Sequence, residues 1–191
     1  AAGLPVAFLT AWYGLHEWGR MQAGDRVLIH AAAGGVGMAA VQLAQWAGAE
    51  VFATASPAKW EILRRLGVTH IYNSRTTGFA AQLLADTGGQ GVQVVLNSLT
   101  GPGFMEANLS ALAPGGCVAE MSKRNIWSEA QVAAVRPDAR YTVFDLGEIG
   151  WRQPHLWRKM LAKILQLMAA GYLRPLPPTV YPLAQAVQAF R

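Results

Sequence analysis

Short apolar runs recur six times along the chain, each closed by a turn signal and parted from the next by a stretch with helical spacing. The runs are Val27-Leu28-Ile29, Glu50 to Ala55, Val68 to Tyr72, Val92 to Leu96, Cys117 to Met121 and Arg140 to Phe144. Runs so short, aliphatic and nearly unbroken by polar residues suit strands covered on both faces. Between them, apolar positions return every three to four residues. This predicts helices over Met38 to Ala47, Trp60 to Leu66, Phe79 to Asp86, Met105 to Leu112 and Ser128 to Val135.

A further helix, Leu4 to Trp18, precedes the first strand, with Pro5 in its opening turn and Gly19 just past its end. His155 to Ala170 is the longest, with Leu156, Met160, Ile164, Leu167 and Met168 as its buried stripe and Gly171 as its stop. Pro175 to Pro182 reads as extended and Leu183 to Phe190 as the start of another helix. Repeated strand-helix alternation implies a parallel sheet with right-handed crossovers.

One handover between strand and helix is unusual. After Val27-Leu28-Ile29 the chain continues His30-Ala31-Ala32-Ala33-Gly34-Gly35-Val36-Gly37 and enters an alanine-rich, proline-free helix. Glycine at 34 lets backbone approach a pyrophosphate that a Cβ would hold off. Glycine at 37 lets the helix pack close to the strand, and the helix N-terminus offers unpaired N–H groups to an anion. The candidate phosphate seat is therefore Ala33, Gly34, Gly35, Val36 and Gly37, although Ala32 stands where the Gly-x-Gly-x-x-Gly pattern has its first glycine. An ordinary strand-to-helix turn is the plainer alternative. The expected fold class is α/β, a Rossmann-type doubly wound six-stranded parallel sheet with helices on both faces, and residues 1–191 read as a single dinucleotide-binding domain.

Composition narrows the picture. At 191 residues and 52% hydrophobic, the chain can bury one α/β core but not two full-sized ones. Its net charge of +5 is scattered rather than gathered on one helix, which argues against nucleic acid and for a phosphorylated small ligand. A single cysteine, Cys117, excludes an internal disulfide and a four-cysteine zinc site, and no apolar run reaches membrane-span length. A cytoplasmic location follows. A start without methionine and an end inside a helical pattern suggest a piece of a longer protein.

The second strand carries the cofactor preference. Sites that prefer NAD place an acidic residue about twenty positions beyond the glycines, to bind the ribose 2′-hydroxyl. Ser56 stands there, and Val51 to Lys59 holds no Asp or Glu. Ser56 as donor and Lys59 as charge favour NADP(H), although Ser56-Pro57 also has the form of a helix N-cap. Arg75, in the loop after the third strand, either reaches the adenine or 2′-phosphate or is solvated.

Ligands of such sheets sit outside the carboxyl ends of the strands. Asn97, Ser98 and Leu99 end the fourth strand, and Met121, Ser122 and Lys123 lie at the end of the fifth. Asp145 follows the sixth. Thr10 in the first helix either reaches the ligand, as its neighbour Tyr13 could, or caps and packs.

The segments Ala31 to Gly37, Ala53 to Trp60, Asn73-Ser74-Arg75, Val95 to Leu99, Ala119 to Lys123 and Phe144-Asp145-Leu146 together resemble the enoyl reductase domains of type I modular polyketide synthases. These are quinone-reductase-like relatives of the animal fatty acid synthase enoyl reductase in the medium-chain dehydrogenase/reductase superfamily. The resemblance implies NADPH as cofactor and a 2-enoyl thioester on an acyl carrier protein as substrate, with other synthase domains as neighbours and a homodimer possible. It carries over Lys123 and Asp145 as the proton-delivery pair, with Ser122 where the family often has glycine. It also implies a substrate-binding domain outside this chain, so that the fragment alone has little activity.

Alternatives remain open on sequence, two for the function and two for Lys123. One is a free-standing quinone or alkenal reductase. Another is a non-catalytic nucleotide-binding module of a megasynthase. For Lys123, an orienting role with water as the acid, or a plain surface ion pair, stands beside direct proton donation.

Overall fold

The computed structural model describes residues 5–178 and 181–189. Six strands form one parallel sheet: β1 (Arg26–Ile29), β2 (Glu50–Ala55), β3 (His70–Asn73), β4 (Val92–Asn97), β5 (Leu112–Glu120) and β6 (Arg140–Val143). Their spatial order is β3-β2-β1-β4-β5-β6, and every pairing is parallel. The order reverses between β1 and β4, the switch point at which such sheets leave a crevice.

The apolar runs are divided between two helical layers by the two-residue period of a strand. Val27, Ile29, Val94, Leu96, Cys117 and Ala119 face one layer. Leu28, Val95 and Val118 face the other. The first layer holds α1 (Pro5–Trp12), α2 (Gly35–Trp46), α3 (Trp60–Arg65) and, with an apolar stripe of Met160, Ile164 and Leu167, the long helix Pro154–Ala169. The second holds α4 (Phe79–Asp86), α5 (Phe104–Ser110) and α6 (Glu129–Val135). Because both faces are covered, the central strands are almost free of exposed residues.

Several boundaries differ from the sequence expectation. The first helix is α-helical only to Trp12 and continues as a π-helical stretch over Tyr13–Trp18, where a Cβ on Gly14 would come within 2.5 Å of Leu96 Cδ1. β5 begins at Leu112, not Cys117, so α5 ends before Leu112; the extra length runs through Pro114-Gly115-Gly116 with a bulge opposite Val92 to Val94. β3 starts at His70 rather than Val68.

One helix was not anticipated at all: α7 (Leu146–Arg152), which precedes α8 (Pro154–Ala169). Beyond α8, Leu183–Gln185 forms a 3-10 turn leading to the short α9 (Ala186–Ala189). The expected extended stretch 175–182 includes two residues outside the described ones, as does Phe190 of the last expected helix. Among the described residues no helix is long and apolar enough to cross a membrane.

Candidate functional site

The glycine turn lies at the carboxyl end of β1, beside the switch point. Ala31 adopts φ 47°, a left-handed conformation that costs a non-glycine residue energy, so the surroundings must enforce it. Three contacts do so. Ala31 N–H donates to Thr54 Oγ1 at 3.4 Å, Ala32 N–H to the Thr54 carbonyl at 2.9 Å, and Gly34 N–H to the Ala31 carbonyl at 2.8 Å.

Behind Thr54 lies His30, buried edge-on against Phe79 with ring centroids 4.9 Å apart. Its Nε2 bonds to Asn108 Oδ1 at 2.6 Å and its Nδ1 to Thr54 Oγ1 at 2.9 Å. Burial lowers the imidazole pKa to about 4 against the opposing hydrogen bond from Asn108, so the ring is neutral at physiological pH. It then donates to Asn108 and accepts the Thr54 hydroxyl proton, leaving the Thr54 oxygen to receive the Ala31 amide.

Gly34 occupies the N-cap position of α2 with extended geometry and no side-chain cap. The first-turn N–H groups of Gly35, Val36 and Gly37 therefore point out of the helix end, and among the described residues no side-chain carboxylate or hydroxyl accepts from them. A Cβ on Gly37 would sit 2.4 Å from Ala32 Cα, whereas one on Gly34 would meet only the Ala31 carbonyl at 3.2 Å. The two glycines thus serve different ends: Gly37 brings helix and strand together, and Gly34 keeps the outer face of the turn low.

A cleft of about 300 Å³ opens over this turn, lined by Ala31, Ala33, Gly34, Ala55, Ser56, Lys59, Ser74 and Arg75. Three strand ends contribute: β1 Ala31, Ala33 and Gly34, β2 Ala55, Ser56 and Lys59, β3 Ser74 and Arg75. Among the described residues that line it none is acidic. Ser56 has the backbone of an N-cap, yet its side chain makes no capping bond and remains available to a ligand. Asn73 Oδ1 accepts the Arg75 amide at 3.0 Å, fixing the loop while the guanidinium is exposed. A helix N-terminus, a hydroxyl and two cations around a glycine floor make a cradle for phosphate groups.

Thr10 lies apart from this cleft: its hydroxyl donates to the Val6 carbonyl at 2.7 Å within α1. Asn97 is also turned inward. Its Oδ1 accepts the Leu99 amide at 3.1 Å, and its Nδ2 donates to the Leu99 carbonyl at 3.2 Å and to Glu120 Oε2. Met121 N–H donates to the Asn97 carbonyl at 3.0 Å. Ser98 Oγ is buried without a partner among the described residues, and Leu99 lines a separate cleft with Met105 and Trp127.

Glu120, fully buried at the end of β5, accepts the Ser122 amide at 2.7 Å through Oε1. Burial raises its pKa, against hydrogen bonds from Ser122, Asn97 and Met121 that lower it.

Lys123 and Asp145, from the ends of β5 and β6, form an ion pair through Lys123 Nζ and Asp145 Oδ2. The Lys123 side chain is 72% exposed, so the pair faces the open rim. Asp145 also caps α7, its Oδ1 accepting the amides of Gly147 at 2.7 Å and Glu148 at 3.1 Å.

Sequence reasoning missed His30, Thr54, Asn108, Glu120 and Ser74. The first four share one signal, a polar side chain within an apolar stretch, whose burial demands partners.

Known proteins resemble this arrangement throughout. A family model described as zinc-binding dehydrogenase matches residues 35–164. The crystal structure of CurK enoyl reductase superposes with a TM-score of 0.95 at 50% identity, covering 99% of this chain and 57% of that one. The nucleotide-binding subdomain of the enoylreductase domain of PpsC from Mycobacterium tuberculosis matches at 44% identity and a TM-score of 0.81, over 90% of this chain and 97% of that one. The chain belongs to the enoyl reductase family of polyketide synthases.

The spectinabilin polyketide synthase system protein NorB of Streptomyces orinoci is 51% identical over all of this chain, which spans only 9% of NorB. Relatives are thus parts of large polyketide synthase multienzymes, and the Rossmann-type α/β fold agrees with the enoyl reductase structures. Among the described residues no group of three or more His, Cys, Asp or Glu side chains could hold a metal ion.

Proposed function

We propose that residues 1–191 are the single dinucleotide-binding domain of an NADPH-dependent enoyl reductase. Its substrate is a 2-enoyl thioester carried on an acyl carrier protein during polyketide chain extension. The carrying observation is the cleft over Gly34, where Ser56, Lys59 and Arg75 surround a glycine floor without a carboxylate. Two bridging phosphates fit the end of α2, and a 2′-phosphate fits the Ser56, Lys59 and Arg75 side, where an acidic residue would repel it.

Bound NADPH supplies the hydride that adds to the β-carbon of the enoyl group. Negative charge then grows on the thioester oxygen and α-carbon. Lys123, on the rim at the end of β5, supplies the compensating positive charge and, directly or through water, the proton for the α-carbon. Asp145 holds the ammonium in place.

In this reading the acyl chain is bound by a substrate-binding domain of the parent synthase, the fragment alone turns over little, and the enzyme works in the cytoplasm as a monomer or homodimer.

A fluorescence titration of this chain with NADPH and NADH tests the cofactor half: NADPH is expected to bind at least about tenfold tighter, as one charge-assisted contact would give. Equal or tighter NADH binding removes it. The reaction half is tested in the complete enzyme with pantetheine enoyl thioesters, and turnover of quinones alone would point to a free-standing reductase instead.

A further inference from the structure

Three of the strand ends that form the rim converge on one buried residue, two of them on its side chain. Glu120 closes β5 and is 0% exposed, with no cation bonded to it among the described residues. Its Oε2 accepts Asn97 Nδ2 from the end of β4, and its Oε1 accepts the Ser122 amide from the turn that leads to Lys123. Its carbonyl accepts the Phe144 amide at 3.0 Å from the end of β6, one residue before Asp145. A carboxylate this deep without a countercharge is costly to the fold, and an apolar residue would complete a buried parallel strand at lower cost.

What the carboxylate gives in exchange is geometry. Backbone pairing already aligns Asn97 with Glu120 and Glu120 with Val143. Pairing ends there, because each strand then breaks into its own loop. Beyond that line the Ser122 amide is held by the Glu120 side chain, and Asn97, held by the same carboxylate, clamps Leu99 through both its amide and its carbonyl.

We infer that Glu120 is a positioning residue that locks the β4 and β5 exits together and thereby places Lys123 against Asp145. It touches neither cofactor nor substrate and acts through Ser122 and Asn97. The inference rests on the proposed function for its catalytic consequence, but the lock itself is a property of this chain without cofactor.

The test exchanges donor and acceptor. Glu120→Gln leaves one oxygen for two donors, Asn97 Nδ2 and the Ser122 amide, and Asn97→Asp sets two carboxylates face to face; together they restore a donor and an acceptor with reversed polarity. Amide hydrogen exchange of Ser122 and Leu99 is read in this chain without cofactor, and kcat and KM in the complete reductase. In Glu120→Gln the Ser122 amide is expected to exchange about tenfold faster, the effect of losing one hydrogen bond to a charged acceptor. In the complete enzyme kcat should fall by about tenfold with KM for NADPH within about twofold, and the double variant should recover both readouts.

Unchanged Ser122 exchange in Glu120→Gln overturns the lock. Faster exchange with unaltered kcat overturns its role in placing Lys123. Should a single variant fail to fold, the double variant decides: kcat near that of the parent supports the exchange of roles, and a loss as large as a single variant's refutes it. Failure of the proposed function is separate, since it would appear as a parent enzyme inactive on enoyl thioesters while Ser122 still exchanges slowly.

Discussion

Lys123 and Asp145 meet across the exits of neighbouring strands, and the aspartate divides its carboxylate between two tasks. Oδ2 accepts the Lys123 ammonium, while Oδ1 accepts the Gly147 and Glu148 amides and so starts α7. The helix therefore fixes the aspartate, and the aspartate fixes the lysine. An exposed ion pair by itself adds roughly 0–1 kcal/mol to stability, so the cap is the stronger structural reason for Asp145.

Two substitutions at Asp145 should separate these tasks. Asp145→Ala removes cap and charge together and is expected to cost about 1 kcal/mol in urea unfolding of this chain. Asp145→Asn keeps an oxygen for the cap and should leave stability nearly unchanged. In the complete enzyme both should lower turnover on an enoyl thioester, and Lys123→Met should lower it at least about tenfold without a loss of stability. Turnover unchanged by Lys123→Met and Asp145→Asn would leave the pair as a surface contact only.

The glycine turn offers a contrast between neighbours. Gly37→Ala would drive a Cβ to 2.4 Å from Ala32 Cα and 2.6 Å from the Ala31 carbonyl oxygen, both backbone atoms that cannot step aside. Loss of about 2 kcal/mol or more in stability is expected, the usual scale of forced overpacking. Gly34→Ala meets one backbone oxygen at 3.2 Å in an ordinary extended conformation, with φ −86°. It should fold almost normally and still bind NADPH more weakly, since its methyl group would stand on the floor of the cleft. Thermal melts paired with cofactor titrations of both variants check the two predictions.

How legible this was differs from element to element. The central strands were plain because burial on both faces removes polar residues, and β1, β2 and β4 show that pattern at full strength. α7 was hidden because two glycines in seven residues, Gly147 and Gly150, weaken helix propensity, and tertiary contact compensates: a Cβ on Gly150 would lie 2.7 Å from the Trp157 ring. Asp145 was read from the sequence only for its chemistry, although an aspartate before a helix is also a cap signal.

In the site, the glycine turn and the Ser56, Lys59 and Arg75 side were readable from spacing and charge. The inward turn of Asn97 was not, because nothing local says that a strand-end amide will meet a buried carboxylate 23 positions later.

Around Ser56, Lys59 and Arg75, charge should decide which nicotinamide cofactor binds. Lys59→Ala and Arg75→Ala are each expected to weaken NADPH about tenfold, the loss of one charge-assisted contact, and to change NADH by less than about threefold. Ser56→Asp should go further and invert the preference, because a carboxylate there accepts a 2′-hydroxyl and repels a phosphate. Raising salt should weaken NADPH binding to the parent chain and matter less for the variants. Parallel losses for both cofactors would instead place these side chains against a part the two share.

His30 makes the last prediction, and its sign follows from burial. The imidazole titrates at about 4 when folded, below its ordinary value of 6.5, so between those values the unfolded chain binds more protons than the folded one. Its contribution is complete above about pH 6.5 and is lost as pH falls towards 4, by an amount on the order of 3 kcal/mol at most. Glu120 works in the opposite sense: its raised pKa favours the folded state below its ordinary carboxyl range and loses that contribution as pH rises through the shifted value. Burial also lowers His16, which shares the sign of His30. Comparison with His30→Gln removes these other groups from the result. The stability difference between parent and variant, read by urea unfolding at several pH values, should grow from pH 4 to 6.5 and then level off. A difference that stays constant across that range would mean that the ring is not held neutral by its surroundings, and the glycine turn would lose the buried support that His30 gives it through Thr54.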